Sequence, residues 1–416
     1  MIMNRLCRIL LSLVLVLGCT EIDRPTDPST QTEKPSTEKP STQEPTAENP
    51  PTENPSTEDP PVEEPPTDNP STEDPPIENP PVEDPSEEEP LVPEYFREHL
   101  KAKEKQINDA IASVEGDYAV FGFFTDSHWG KNQKNTPALI NHIIHYTPVQ
   151  DVVFGGDVIT SSFKDPDDAF KLGQDFRHAF DTLQCNMYYL YGNHDNNSDG
   201  HPTETNIHLS DERVYSYLQQ GMAPCNYRGF FNFYYDREEC KTRFICLDTG
   251  RFYYSQLRGN IIETAKFLIE SLKSTPEGWR IVMLSHIWCH LRATEPQGPF
   301  FPDYMRQFNK ILDNYNEGTS GVFKYNEDSL EYDFTNVSSK IICCIGGHCH
   351  LDLSMPTNDG IPVIMTATDS ALTLNGEVAA EGTIDEQVVS VFVIDYAKRI
   401  INLIRIGRGN DNEINY

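Results

Sequence analysis

Two spacings of apolar residues alternate along the chain from Glu94 onwards. In Glu94–Val114, Phe96, Leu100, Ile107 and Ile111 recur at helical intervals, which predicts an amphipathic helix. Tyr118–Phe124 is a short apolar run and predicts a strand. Thr136–Tyr146 returns to helical spacing and opens on Thr136-Pro137, an N-cap followed by proline at the first helical position. Asp151–Phe154 predicts a second, buried strand, Pro166–Leu183 a helix and Asn186–Tyr191 a third strand. Strand, helix, strand, helix, strand is the order of a parallel sheet flanked by helices.

The later pattern is richer in strands. A hairpin is expected over Phe230–Tyr235 and Arg243–Leu247, then a helix over Gln256–Leu272 and a strand over Arg280–Ser285. Pro302–Asn316 reads as helical and Lys340–Ile345 as a strand, followed by strands over Pro362–Ala367, Gln387–Ile394 and Arg399–Ile406. The sum is an α/β fold in four layers, αββα: two mixed β-sheets packed face to face and flanked by helices.

Ahead of residue 93 this patterning fails, and composition takes over. Residues 1–18 combine Arg5 and Arg8 with an apolar run, Ile9–Leu17, too short to span a bilayer but suited to an export signal. Val16-Leu17-Gly18-Cys19 resembles a bacterial lipobox, in which the cysteine is lipidated and becomes the new N-terminus; the bland alternative is an ordinary signal with an incidental cysteine. Between Thr20 and Leu91 there is no aromatic residue, and proline recurs at every fifth position from Pro35 to Pro90. Such a segment buries too little apolar surface to offset its ordering entropy, and proline extends it. Its 21 acidic and three basic side chains between Thr20 and Val92 stretch it further. Residues 19–92 are therefore expected to be a disordered stalk on a lipid anchor, and 93–416 one domain.

Removing the stalk changes the meaning of the charge. The chain carries −32, of which −16 remains from Pro93 to Tyr416. An acidic domain of this kind excludes a general nucleic-acid surface. The expected molecule is a monomer, exported and held by lipidated Cys19 at the outer membrane or cell surface of a bacterium.

Five strand-like runs end in residues able to bind a metal: Asp126 and His128 after Phe121–Phe124; Asp157 after Val152–Gly156; Asn193, His194 and Asp195 after Tyr188–Gly192; His286 after Ile281–Ser285; His348 and His350 after Ile341–Gly347. Asp-x-His and His-x-His have period two, so at a strand end both side chains face one side. Mixed oxygen and imidazole donors suit Mn, Fe or Zn better than Ca or Mg.

In this order the five motifs resemble the calcineurin-like metallophosphoesterase family over about Phe121–Leu353. The resemblance implies two transition metal ions. One takes Asp126, His128, Asp157 and His350; the other takes Asp157, Asn193, His286 and His348. It implies hydrolysis of a small-molecule phosphoester by water ionised between the ions, with His194 as the catalytic histidine and Asp195 either orienting its ring or serving a purely structural turn. Thr160 stands where purple acid phosphatases carry a metal-bound tyrosine, and Val158–Ser161 lacks the arginine-bearing pattern of protein phosphatases. The alternative reading is a catalytically inactive binding module of the same fold, displayed on the stalk.

Other candidates are weaker. His290 and Arg292 could hold a second phosphate oxygen, and Trp129 could stack on a base or sugar, although packing or surface roles suit each better. Loops Asn196–Asp211 and Cys289–Asp303 are expected to open onto the metals. Arg405 and Arg408 read as a strand cap. Among ten cysteines there are no spaced CxxC pairs, which argues against a structural zinc site; Cys225 and Cys240 are a candidate disulfide, and Cys343 and Cys344 should face opposite sides of a strand.

Overall fold

The computed structural model describes residues 92–129, 135–197, 208–229, 231–252, 261–288, 303–357, 360–370 and 381–416. The export signal, Cys19 and the proline-rich stretch lie outside the described residues. No described helix is long and apolar enough to cross a membrane.

Helix α1 (Arg97–Ala112) buries Leu100 and Ile107, on the predicted face. Then come β1 (Tyr118–Phe124), α2 (Thr136–Tyr146), β2 (Asp151–Phe154), α3 (Pro166–Ala179) and β3 (Asn186–Tyr189). A short α4 (Asp211–Leu218) leads to the antiparallel strands β4 (Asn226–Arg228), β5 (Asn232–Arg237) and β6 (Thr242–Leu247). Next are α5 (Ile261–Lys273), β7 (Arg280–Ser285), α6 (Asp303–Glu317) and a hairpin of β8 (Ser320–Tyr325) and β9 (Asp328–Asp333). The last strands are β10 (Lys340–Gly346), β11 (Leu353–Pro356), β12 (Pro362–Met365), β13 (Val388–Asp395), β14 (Ile400–Gly407) and β15 (Asn412–Asn415).

One sheet has the order β15-β14-β13-β1-β2-β3 and the other β11-β12-β10-β7-β6-β5-β4, while β8 and β9 pair apart. Strand alternation explains how the layers form. Along β1, Phe121 and Phe123 point into the core between the sheets, whereas Phe124 points to the helical side. From the second sheet, Phe233, Phe244, Val282 and Cys343 fill that central core, and Cys344 faces α5 and α6. The two neighbouring cysteines therefore face opposite sides, and the fold is the four-layer α/β sandwich.

Two local expectations are corrected. Thr136 does not cap α2: its hydroxyl donates to buried Asp369 at 2.7 Å, across the domain. Cys225 and Cys240 are free thiols. Strand β4 sets Asn226 opposite Tyr234, which leaves Cys225 well short of Cys240. Short elements such as α4, β4, β11 and β15, and the β8–β9 hairpin, had no clear signal. The strands among them are mostly exposed, so no strong apolar period marks them, while α4 carries its period of Val214, Tyr217 and Leu218 over only eight residues.

Phe121 is fully buried, stacked on Phe392 with centroids 5.2 Å apart and edge-on to Phe244 at 5.1 Å. Phe121→Ala is expected to cost about 3–5 kcal/mol of stability, read as a lower urea midpoint with unchanged slope.

Candidate metal centre

Strands β1, β2 and β3 are mutually parallel in one sheet, and β6, β7, β10 and β12 in the other. Parallel strands deliver their carboxyl ends to one edge, where open α/β sheets hold ligands. Here both sheets contribute. Asp126 N donates to Gly156 O at 2.9 Å and His128 N to Asp157 O at 3.0 Å, so the loops after β1 and β2 remain joined. Gly347 N donates to His286 O at 3.0 Å and joins the loops after β7 and β10 in the same way.

This convergence brings Asp126, His128, Asp157 and His350 together, with one ligand atom of each within 4.8 Å of the others. Asp157, His286 and His348 form a second group, their ligand atoms again within 4.8 Å of one another. Asp157 belongs to both. Asn193 borders the second group, its Oδ1 lying 3.1 Å from His286 Nε2.

Hydrogen placement indicates what such a cluster requires. His128 Nδ1 lies 3.0 Å from Ile159 O and His286 Nδ1 lies 2.8 Å from Gly155 O. Carbonyl oxygens only accept, so each Nδ1 carries the hydrogen, and each ring, when neutral, turns an Nε2 lone pair inwards. His128 Nε2 then faces His350 Nε2 at 3.2 Å, and His286 Nε2 faces Asp157 Oδ2 at 3.2 Å. Buried carboxylates and imidazole lone pairs this close together need positive charge among them, as protons or as metal ions. Carboxylate, imidazole and amide donors at this density fit a pair of transition metal ions.

The ionisation of the cluster reflects the same demand. Burial opposes the Asp126 charge, yet His286 and His350 hold it down to about 2. Burial also opposes the Asp157 charge, and His286 and His194 hold it well below the ordinary carboxylate range. On His286, burial is outweighed by Asp157 and Asp126, which push the imidazole up to about 9. Burial, helped by His286, lowers His348 to about 4 and keeps it a neutral ligand.

The backbone is strained where the ligands stand. Eleven described non-glycine residues have positive φ, and five of them are Asp126, His128, Asp157, His348 and His350. Left-handed backbone at such residues persists only when the surroundings enforce it. Gly192 and Gly347 let this happen, because a Cβ on either would run into the carboxylate of Asp157 or Asp126.

The sequence model of the calcineurin-like phosphoesterases matches residues 119–352, more than half of the chain. The chain belongs to the calcineurin-like phosphoesterase family. Among solved structures, a dimetal phosphatase from Danio rerio shares the fold, with TM-score 0.50 at 11% identity over 72% of this chain and 100% of that one. GAP50, the anchor in the inner membrane complex of Plasmodium, is similar at TM-score 0.42 and 11% identity, covering 72% of this chain and 89% of that one. Phosphopantetheinyl hydrolase (PptH) from Mycobacterium tuberculosis gives TM-score 0.29 and 13% identity over 61% of this chain and 91% of that one. No curated protein matches the chain by sequence.

In this family member, His194 sits beside the shared carboxylate, with Nε2 3.9 Å from Asp157 Oδ2. Asp195 does not orient its ring. The Asp195 carboxylate is occupied by three backbone amides, accepting from Gly192 N at 2.7 Å, Val158 N at 2.7 Å and Asp157 N at 3.1 Å. It ties the Asn193 loop to the Asp157 loop. Burial, with the Asp157 charge, raises it to about 7. The group on the His194 ring is Ser161, whose Oγ is 2.6 Å from Nδ1.

Sequence reasoning also missed two threonines behind Asp126. Thr125 Oγ1 donates to Asp126 Oδ2 at 2.7 Å and Thr368 Oγ1 to Asp126 O at 2.6 Å. Strand β6 likewise ends in Asp248-Thr249-Gly250, a sixth apolar run closing on polar residues. There Asp248 pairs with Arg251, and Thr249 Oγ1 accepts from Ile287 N at 3.1 Å. That signal was legible.

The weaker candidates also separate. Trp129 is only 6% exposed and packs edge-on against Phe176 at 5.2 Å, so it belongs to the core. Arg408 donates to the carbonyls of Thr368 and Asp385, as a cap on the chain around Asp369. Arg405 pairs with Asp352, just past His350. His290, Arg292 and most of both expected loops lie outside the described residues. A cavity of about 580 Å³ at the opposite ends of the strands takes in Asp151 and Arg237, which pair with each other, and it lacks every ligand named above.

Asp157→Asn and Gly347→Ala are each expected to lower bound metal from two ions per chain to one or none, measured by elemental analysis after dialysis. Full retention in both variants would contradict the shared-carboxylate geometry.

Proposed function

We propose that this chain is a dimetal-dependent hydrolase of small-molecule phosphoesters, displayed at a membrane on a lipid-anchored stalk. The observation carrying the reading is one buried carboxylate, Asp157, common to two ligand groups and flanked by His194. Asp126, His128, Asp157 and His350 would hold one ion, and Asp157, Asn193, His286 and His348 the other. When bound, such a pair supplies positive charge for the phosphoryl oxygens and an ionised water near neutral pH.

The chain's own residues supply the rest. Asp126 and Asp157 hold the cations in place through charge that burial leaves unscreened. The Nδ1 bonds to Ile159 O and Gly155 O aim His128 and His286 inwards. His194 is exposed enough to reach substrate and can hand a proton to the oxygen that leaves phosphorus. The lipobox at Val16–Cys19 supports attachment through Cys19, and the acidic, proline-rich stretch supports an extended spacer.

Metal-loaded chain is expected to turn over p-nitrophenyl phosphate or bis-p-nitrophenyl phosphate, and comparing the two separates monoester from diester hydrolysis. His194→Ala should keep both ions and lose roughly 10²-fold or more in kcat; undiminished turnover would retire its role. Loaded protein with no hydrolysis at all would favour the displayed binding module. Cys19→Ser is expected to move the protein from the membrane fraction to the soluble one, and an unchanged distribution would reject the anchor.

A further inference from the structure

The contact between Ser161 and His194 fixes more than a ring position. Ser161 Oγ lies 2.6 Å from His194 Nδ1 and 3.2 Å from the carbonyl oxygen of the same residue. A hydroxyl has one hydrogen, and a carbonyl can only accept. Both contacts are hydrogen bonds at once only if Ser161 donates to the carbonyl and accepts from an Nδ1–H. The backbone is anchored independently, since His194 N donates to Asp157 Oδ1 at 2.9 Å.

We propose that Ser161 is a positioning residue that holds neutral His194 in its Nδ1–H form, leaving Nε2 as the nitrogen that exchanges a proton with substrate. The consequence rests on the phosphoester-hydrolase reading. The charged ring carries hydrogens on both nitrogens. When the bond from phosphorus to the leaving oxygen breaks, its electron pair stays on that oxygen, which takes the Nε2 proton. The ring left behind is the neutral Nδ1–H form, and this is the form Ser161 stabilises. Free histidine favours the opposite tautomer, so without the serine the proton is no longer directed to the face that opens beside Asp157.

The site invests backbone strain in this contact. Ser161 is buried and left-handed at φ 54°, within the range of the metal-binding residues Asp126 and Asp157. Its neighbour Thr160 is exposed and bonds only to Ser162 among the described residues. The strain also supplies a clean test, because glycine adopts this conformation at no steric cost. Ser161→Gly removes the hydroxyl while relieving the backbone, so a serine that serves only the main chain predicts a variant with unaltered tautomer and unaltered leaving-group dependence.

The measurement uses full-length chain labelled with nitrogen-15 in histidine, metal-free and zinc-loaded, at alkaline pH. Long-range nitrogen–proton spectra are expected to show His194 protonated on Nδ1 in the wild type and shifted towards Nε2 in Ser161→Gly. With zinc bound, kcat of the variant should fall roughly 10–100-fold on phenyl esters with KM little changed. Nitrophenyl esters, whose leaving oxygen needs little protonation, should change far less. A wild-type His194 with its hydrogen on Nε2 overturns the proposal. So does a glycine variant with unaltered tautomer and unaltered leaving-group dependence. If neither chain hydrolyses any ester, the phosphoesterase reading falls, and the spectra still decide the tautomer.

Discussion

The structure turns on a cluster of buried lone pairs that repel one another unless cations lie between them. Asp157 is central, because its carboxylate serves both ligand groups and also accepts from His194 N at 2.9 Å. A protein concentrates acceptors in this way only by compensating elsewhere. Here the compensation is the sandwich itself: aromatic and aliphatic packing between the two sheets holds the strand ends so firmly that five candidate ligands remain in left-handed backbone.

Rigidity at the centre comes from a second layer of hydrogen bonds that ends on main-chain atoms. His128 and His286 are oriented by carbonyls, and Asp195 gathers three amides. Thr368 bonds the Asp126 carbonyl and Arg408 the carbonyls of Thr368 and Ser370, so the segment after β12 braces the loop after β1. The two sheets thus meet at the chemistry as well as in the core. Distant residues such as Asp369 and Thr136 extend the brace to α2.

Ser161 gives the site a neutral partner for its histidine. A carboxylate in that place would add a further negative charge close to Asp157 and Asp126 in a buried cluster. A serine orients the ring without adding to that repulsion.

The sequence by itself determined the four layers and marked the strand ends whose Asp and His side chains the fold gathers into candidate ligand groups. The reason is local. An apolar run cut off by glycine marks a buried strand end; Asp126 with His128 and His348 with His350 lie just beyond their strands in left-handed backbone, so loop geometry and not the expected strand period of two brings each pair together. The tertiary structure decided which atoms of those residues face inwards, and what their neighbours do. Asp195 beside His194 in sequence suggested an orienting pair, yet its carboxylate is drawn to the amides of Gly192, Asp157 and Val158, and Ser161 takes the ring from 33 positions away. The free thiols of Cys225 and Cys240 and the Thr136–Asp369 bond are decided in the same way. Hydrogen bonding and strand register join residues remote in the chain, and a single sequence records only near-neighbour spacing.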